Sequence, residues 1–92
     1  MATLKKQRQR KTMEIKRILG LKDIALARKL AKQPYFTEIQ MELDTHPELG
    51  QSTYQPGCEC CGTYYYTWPT KKGFISYENF VGFTFESNNN NS

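Results

Sequence analysis

This 92-residue sequence is poor in the features that usually declare an activity. It has one histidine, His46, no nucleophile elbow and no glycine-rich phosphate loop. Catalysis usually needs a positioned acid–base pair in a concave pocket, and there is little here to build one from. A non-enzymatic protein is therefore expected. No apolar run approaches the roughly 18–20 residues of a membrane span, and no hydrophobic segment follows the first residues as in a signal peptide. The expectation is an intracellular protein without a membrane partner, cytoplasmic or, in a eukaryote, nuclear. At this length folding buries only about 60–65% of the surface of the unfolded chain, enough for one thin core and no second domain.

Two local absences divide the chain. No aromatic residue occurs before Tyr35, and only two acids, Glu14 and Asp23, occur before Pro34. The same stretch holds eleven of the thirteen Lys and Arg: Lys5, Lys6, Arg8, Arg10, Lys11, Lys16, Arg17, Lys22, Arg28, Lys29 and Lys32. Residues 1–33 thus carry a net +9. Residues 34–92 carry only Lys71 and Lys72 against seven acids, a net −5, and contain all twelve aromatics.

Residues 2–12 have Leu4 as their only sizeable apolar side chain, so residues 1–12 read as a solvated, disordered basic arm. The folded domain is expected over 13–87. Ile15, Ile18 and Leu19 recur at helical spacing, with Gly20 as a C-terminal stop. Asp23 is placed to cap a second helix, Ile24 to Lys32, whose Ile24, Leu26, Ala27, Leu30 and Ala31 lie within an arc of about 160°. Residues 36–44 carry two signals. Ile39, Met41 and Leu43 alternate with polar residues as in a half-buried strand, whereas Thr37 with Gln40 resembles a helical capping box. The alternation is given slightly more weight, so a strand is favoured. Residues 47–57 read as a loop.

Beyond the cysteines, Tyr64, Tyr66 and Trp68 alternate with Thr63, Tyr65 and Thr67. Pro69–Gly73 makes a turn, and Phe74–Tyr77 and Phe80–Phe85 continue a meander. Residues 88–92 are a polar, Asn-rich tail expected to be disordered. The fold class expected is α+β: a basic arm, two short helices and a small antiparallel, aromatic-rich sheet of three to four strands.

Three sets of residues are candidates for function. The thirteen cations suit nucleic acid, DNA or RNA, or an acidic protein surface, because several phosphate contacts together give salt-sensitive, sequence-independent binding. Tyr64, Tyr65, Tyr66 and Trp68 place rings on both sides of one strand. An exposed ring there would stack on bases or anchor a protein partner. Cys58 and Cys61 form a C-x-x-C followed by Gly62, the form of a zinc knuckle. A closed zinc site would need Cys58, Cys60, Cys61 and His46 together, with three sulfurs crowded into four residues. Two knuckles from a homodimer are an easier route to four ligands. An odd number of cysteines without an export signal otherwise fits reduced thiols.

The function expected is that of a small nucleic-acid-associated protein gripping phosphate through its basic arm and helix. The alternative is a protein-interaction module, either a subunit of a larger (including ribonucleoprotein) assembly or a small inhibitor encoded by a virus or mobile element.

Overall fold

The computed structural model describes residues 2–88, with side chains from Arg10 onward. Three helices, α1 (Ala2–Leu19), α2 (Ile24–Ala31) and α3 (Phe36–Thr45), precede four strands, β1 (Thr53–Pro56), β2 (Tyr64–Pro69), β3 (Gly73–Glu78) and β4 (Gly82–Ser87). The strands form an antiparallel meander in chain order, and one face of the sheet packs on the helices. The class is α+β, as expected, but with three helices rather than two. The strand β1 lies inside the stretch expected to be loop. The expected Asn-rich tail falls outside the described residues beyond Asn88.

Helix α1 extends through the segment expected as a separate arm. Thr12 is already buried, one turn before Ile15 and two before Leu19. Docking of that stripe nucleates the helix. Extending it toward the N-terminus then needs only propagation through Lys, Gln and Arg, which are good helix formers. At its other end Gly20 takes φ +69, and the Leu21 N–H reaches back to the Lys16 carbonyl at 3.1 Å. This is the hydrogen bond of a Schellman stop, in which the left-handed residue is best supplied by glycine. Asp23 caps α2 as expected, accepting from the Leu26 N–H at 3.1 Å.

Residues 36–45 are a helix, which overturns the strand favoured by alternation. On a strand Ile39, Met41 and Leu43 would share a face. Here Ile39 and Leu43 are buried with Phe36, while Met41 is 79% exposed. The buried set is spaced i, i+3, i+7, the helical period. The Thr37–Gln40 capping box does not start this helix, because its N-cap is Tyr35, without a side-chain cap bond.

The register assigns each ring to a side. Tyr66 pairs with Tyr77, which pairs with Phe83. One step along, Trp68 pairs with Ile75, which pairs with Phe85. These side chains form the inner face, where Trp68 and Ile75 are fully buried. The Phe36 ring enters from α3, with ring centres 4.7 Å from Tyr66, 4.9 Å from Tyr77 and 5.8 Å from Trp68. The Trp68 indole N–H donates to Asp44 Oδ1 at 3.0 Å, which ties the other end of α3 to the same strand. The outer face carries the row Thr53, Thr67, Ser76 and Thr84 and stays wet, as antiparallel sheets allow.

The edge strand β4 is covered by a side chain. Gln33, at φ +53, uses its amide as a short stand-in strand: Nε2 donates to the Phe83 carbonyl at 3.0 Å, and Oε1 accepts from the Phe83 N–H at 2.7 Å. These bonds satisfy one edge pair and fasten the end of α2 to the sheet.

Two substitutions test the assignment of 36–45. Leu43→Ala should cost about 2–5 kcal/mol in urea unfolding. Met41→Ala should stay within about 0.5 kcal/mol of the unaltered protein. Comparable losses at both positions would restore the strand.

Candidate functional site

The basic pole is built at the C-terminal end of α1. The turn between β2 and β3 folds back onto that end. The Lys72 N–H donates to the Leu19 carbonyl at 3.3 Å, and the Lys72 carbonyl accepts from Asn88 at 2.7 Å. The Lys72 stem lies over Gly20 so closely that an added Cβ would stand 2.8 Å from Lys72 Cγ. Lys71 and Lys72, the only cations of the acidic half, thereby join Lys16, Arg17 and Lys22.

Two open grooves of ≈ 460 and ≈ 410 Å³ share Arg17, Lys71 and Lys72, and no carboxylate lines either. A third, of ≈ 380 Å³, lies nearer the start of α1 and mixes Arg10 and Lys11 with Glu14. The negative end of the α1 dipole is at this pole and offsets part of the mutual repulsion, by about 0.3–1 kcal/mol per cation.

The carboxylates of the later half do not neutralise this cluster. Among the described residues one Lys or Arg ion pair forms, Lys29 Nζ to Glu42 Oε1 at 2.9 Å on α2 and α3. Glu48, beside the Lys22 backbone, is occupied otherwise: its two oxygens accept the Lys22 and Asp23 backbone N–H groups at 2.7 and 3.0 Å. Arg28, Lys29 and Lys32 project from α2 and take no part in the grooves at the end of α1. The side chains of Lys5, Lys6 and Arg8 lie outside the described residues.

The aromatic set divides. Trp68 is fully buried and Tyr66 packs on the core, so neither offers the interaction surface expected from the sequence. A thin core needs these rings, and the register turns them inward. Tyr64 is half-buried and Tyr65 is 37% exposed. Tyr54, on the unforeseen β1, is 54% exposed beside Tyr64 and Tyr66.

His46 is not a metal ligand here. Its Nε2 is 2.8 Å from Asp23 Oδ2, and its Nδ1 accepts from the Glu48 N–H at 3.1 Å. With Nδ1 accepting, Nε2 carries the proton and donates to the carboxylate. Both nitrogens are committed to bracing the loop after α3 against the start of α2. The bond from His46 first, and then that from the Leu26 N–H, holds the Asp23 carboxyl below its ordinary 3.8. Glu48 and His46 in this brace were not foreseen, because their partners lie more than twenty residues away and no local pattern marks them.

The three cysteines do converge. The β1–β2 loop, 57–63, is closed by Gly57 N–H to the Thr63 carbonyl at 2.9 Å and by Cys58 N–H to Thr63 Oγ1 at 2.9 Å. The Cys58 carbonyl accepts from Cys61 at 3.2 Å and from Gly62 at 3.0 Å, and Gly62 turns the chain at φ +69. Asn79 supports the loop from the next hairpin, donating to the Gly62 carbonyl at 2.9 Å and accepting from Tyr64 N–H at 3.1 Å. The sulfurs all lie within 4.8 Å of one another and are exposed, a grouping that can hold a metal ion. Hydrogen bonding from Cys60, then from Cys61, brings the Cys58 thiol down from 9.0 to about 7, and the same bond to Cys58 raises that of Cys60.

The thiols and the cations sit at opposite ends of β2, about 20 Å apart at roughly 3.4 Å per residue. No helix among the described residues is long and apolar enough to cross a membrane. Comparison with protein-family models, with curated proteins and with solved structures finds no match to this chain.

The brace makes an acid-side prediction. Stability from a depressed carboxylate is complete above its unfolded value and is lost as pH falls through the folded value. At neutral pH Asp23→Ala should cost about 0.5–2 kcal/mol, and Asp23→Asn, which keeps a capping acceptor, less. The gap between the Asn variant and the unaltered protein in urea unfolding should close as pH drops below 3.8. A gap independent of pH would remove the charged contact to His46 from the account.

Proposed function

We propose that this is a small, non-enzymatic nucleic-acid-associated binding protein that grips phosphate with the basic pole at the end of α1. The observation that carries this reading is the gathering of Lys16, Arg17, Lys22, Lys71 and Lys72 from three chain segments around grooves lined by no carboxylate. Like charges held together this way repel, and a polyanion relieves the repulsion while releasing its own counterions. Arg10 and Lys11, nearer the start of α1, extend the same charge along the helix axis. Phosphate contact explains both features.

A second reading, a protein-interaction module, draws on a different part of the surface. Phe80 and Val81, in the β3–β4 turn, are 71% and 65% exposed, at the same end of the sheet as Tyr65. The subunit of a ribonucleoprotein assembly would use both ends at once.

Fluorescence anisotropy with single- and double-stranded DNA and RNA oligonucleotides, over a series of salt concentrations, tests the first reading. The double change Lys71→Gln/Lys72→Gln should weaken binding to every sequence alike. It should also lower the slope of log K against log salt on duplex DNA by about 2. Unfolding stability should change by no more than about 0.5 kcal/mol. Binding indifferent to this change, or absent at low salt, overturns the phosphate grip. A stoichiometric protein partner that survives nuclease treatment and is lost on Phe80→Ser/Val81→Ser would put the second reading in its place.

A further inference from the structure

The thiol loop is independent of the phosphate grip, and its construction suggests a ligand of its own. We propose that Cys58, Cys60 and Cys61 bind one thiophilic d10 metal ion, zinc or cadmium, through three thiolates, with one coordination position left open to solvent.

The donor set is soft and uniform, which selects such ions over magnesium or calcium. An ion about 2.3 Å from each of three sulfurs requires them to stand about 3.8–4.0 Å apart. Cys60 and Cys61 already stand at 4.0 Å, Cys58 and Cys60 are 2.6 Å apart, and the whole set lies within 4.8 Å. The Cys58–Cys60 pair must open by a little over an ångström, and the Cys58–Cys61 pair, within 4.8 Å, must close by under one. Both side chains are exposed and free to rotate about χ1.

The backbone beneath them needs no change. Thr63, Asn79 and the turn bonds to the Cys58 carbonyl already hold the loop in a shape that aims all three sulfurs to one side.

Three features separate this site from a structural zinc knuckle. Among the described residues no fourth Cys, His, Asp or Glu joins the three, and His46 is held in its brace by both nitrogens. The loop is closed by hydrogen bonds that do not involve the sulfurs. Finally, the core is assembled without it, since none of the three cysteines belongs to the buried set. The ion is therefore exchangeable, and the fold does not depend on it. The open position is where water, or a thiol or imidazole from a molecule other than a second copy of this chain, completes the tetrahedron.

The full chain, reduced with a phosphine and freed of metal, is titrated with zinc chloride and with cadmium chloride. Native mass spectrometry counts ions per chain, and the sulfur-to-cadmium charge-transfer band counts thiolates. We expect one ion per monomer, three thiolates per cadmium, and protection of all three cysteines from iodoacetamide. Each of Cys58→Ser, Cys60→Ser and Cys61→Ser should weaken binding by roughly tenfold or more, while His46→Ala leaves it unchanged. Circular dichroism and Trp68 emission should be the same with and without metal.

The serine variants change exposed side chains outside the core, and the alkylation count on the unaltered chain does not depend on them. Several results would overturn the proposal: no uptake beyond that of a triple serine variant, one ion shared by two chains, a serine variant that binds as tightly as the unaltered protein, or unfolding on metal removal.

Discussion

Everything in this molecule is positioned from Trp68. It is the residue at which both layers and two of the helix ends are fixed. Its ring is fully buried between Phe36, Tyr66 and Phe83, and its one polar atom is satisfied by Asp44. A buried indole N–H without a partner would cost about 1–3 kcal/mol, so that bond locks the azimuth of α3 as well as its distance. With β2 pinned at Trp68, the antiparallel register leaves no freedom to its neighbours: a slip by one residue would turn every inner ring to solvent. Both ends of β2 are then set. One delivers the β2–β3 turn to the end of α1, and the other delivers the cysteine loop to Asn79.

The sequence and the structure agree where the information is local. Gly20 as a stop, Asp23 as a cap, Leu26, Ala27 and Leu30 of the α2 stripe (though not Ile24, which is 41% exposed) and the alternation from Tyr64 to Trp68 each depend on residues within four positions of one another. Disagreement begins where distant partners decide. Residues 36–45 carry a two-residue alternation and a helical period at once. Phe36 stacking on Tyr66 and Tyr77 decides between them, a contact some thirty to forty residues away in the chain. Strand β1 has four exposed residues and ends in proline, so neither propensity nor hydrophobicity marks it, and its existence is owed to pairing with β2. His46 was grouped with the cysteines because it is the lone histidine. The structure gives it to Asp23, 23 residues away, which no spacing rule connects to it.

The division of charge along the chain survives folding, and there is a physical reason for it. Three of the seven later acids are used within the fold. Glu48 accepts backbone amides at the start of α2, Asp44 accepts the indole, and Glu42 pairs with Lys29. The cations at the end of α1 are left with the helix dipole, which is worth only a fraction of what an ion pair to phosphate supplies. Folding even sharpens the asymmetry, because it carries the two lysines of the acidic half across to the basic helix. A chain selected only for stability would gain by pairing them. Leaving them together at one pole favours an external anion.

The proposed phosphate grip and the proposed thiol site sit at two poles of one small domain. A core this thin has no interior room for a site, so whatever the protein binds must be met by its ends. The meander supplies two ends of opposite character from one six-residue strand. At one, lysines are mounted on a turn that is hydrogen-bonded to a helix terminus. At the other, thiols are mounted on a loop that is hydrogen-bonded to the next hairpin. In both cases the backbone is fixed by partners outside the loop, while the functional atoms stay exposed. That arrangement holds donors in place before a ligand arrives, which lowers the ordering cost of binding. About 20 Å of sheet between the poles keeps the field of the lysines, screened over roughly 8 Å at physiological salt, from tuning the thiols. The chemistry at the cysteine loop is therefore set by its own neighbours, Thr63 and Asn79, and not by the charge that dominates the rest of the surface.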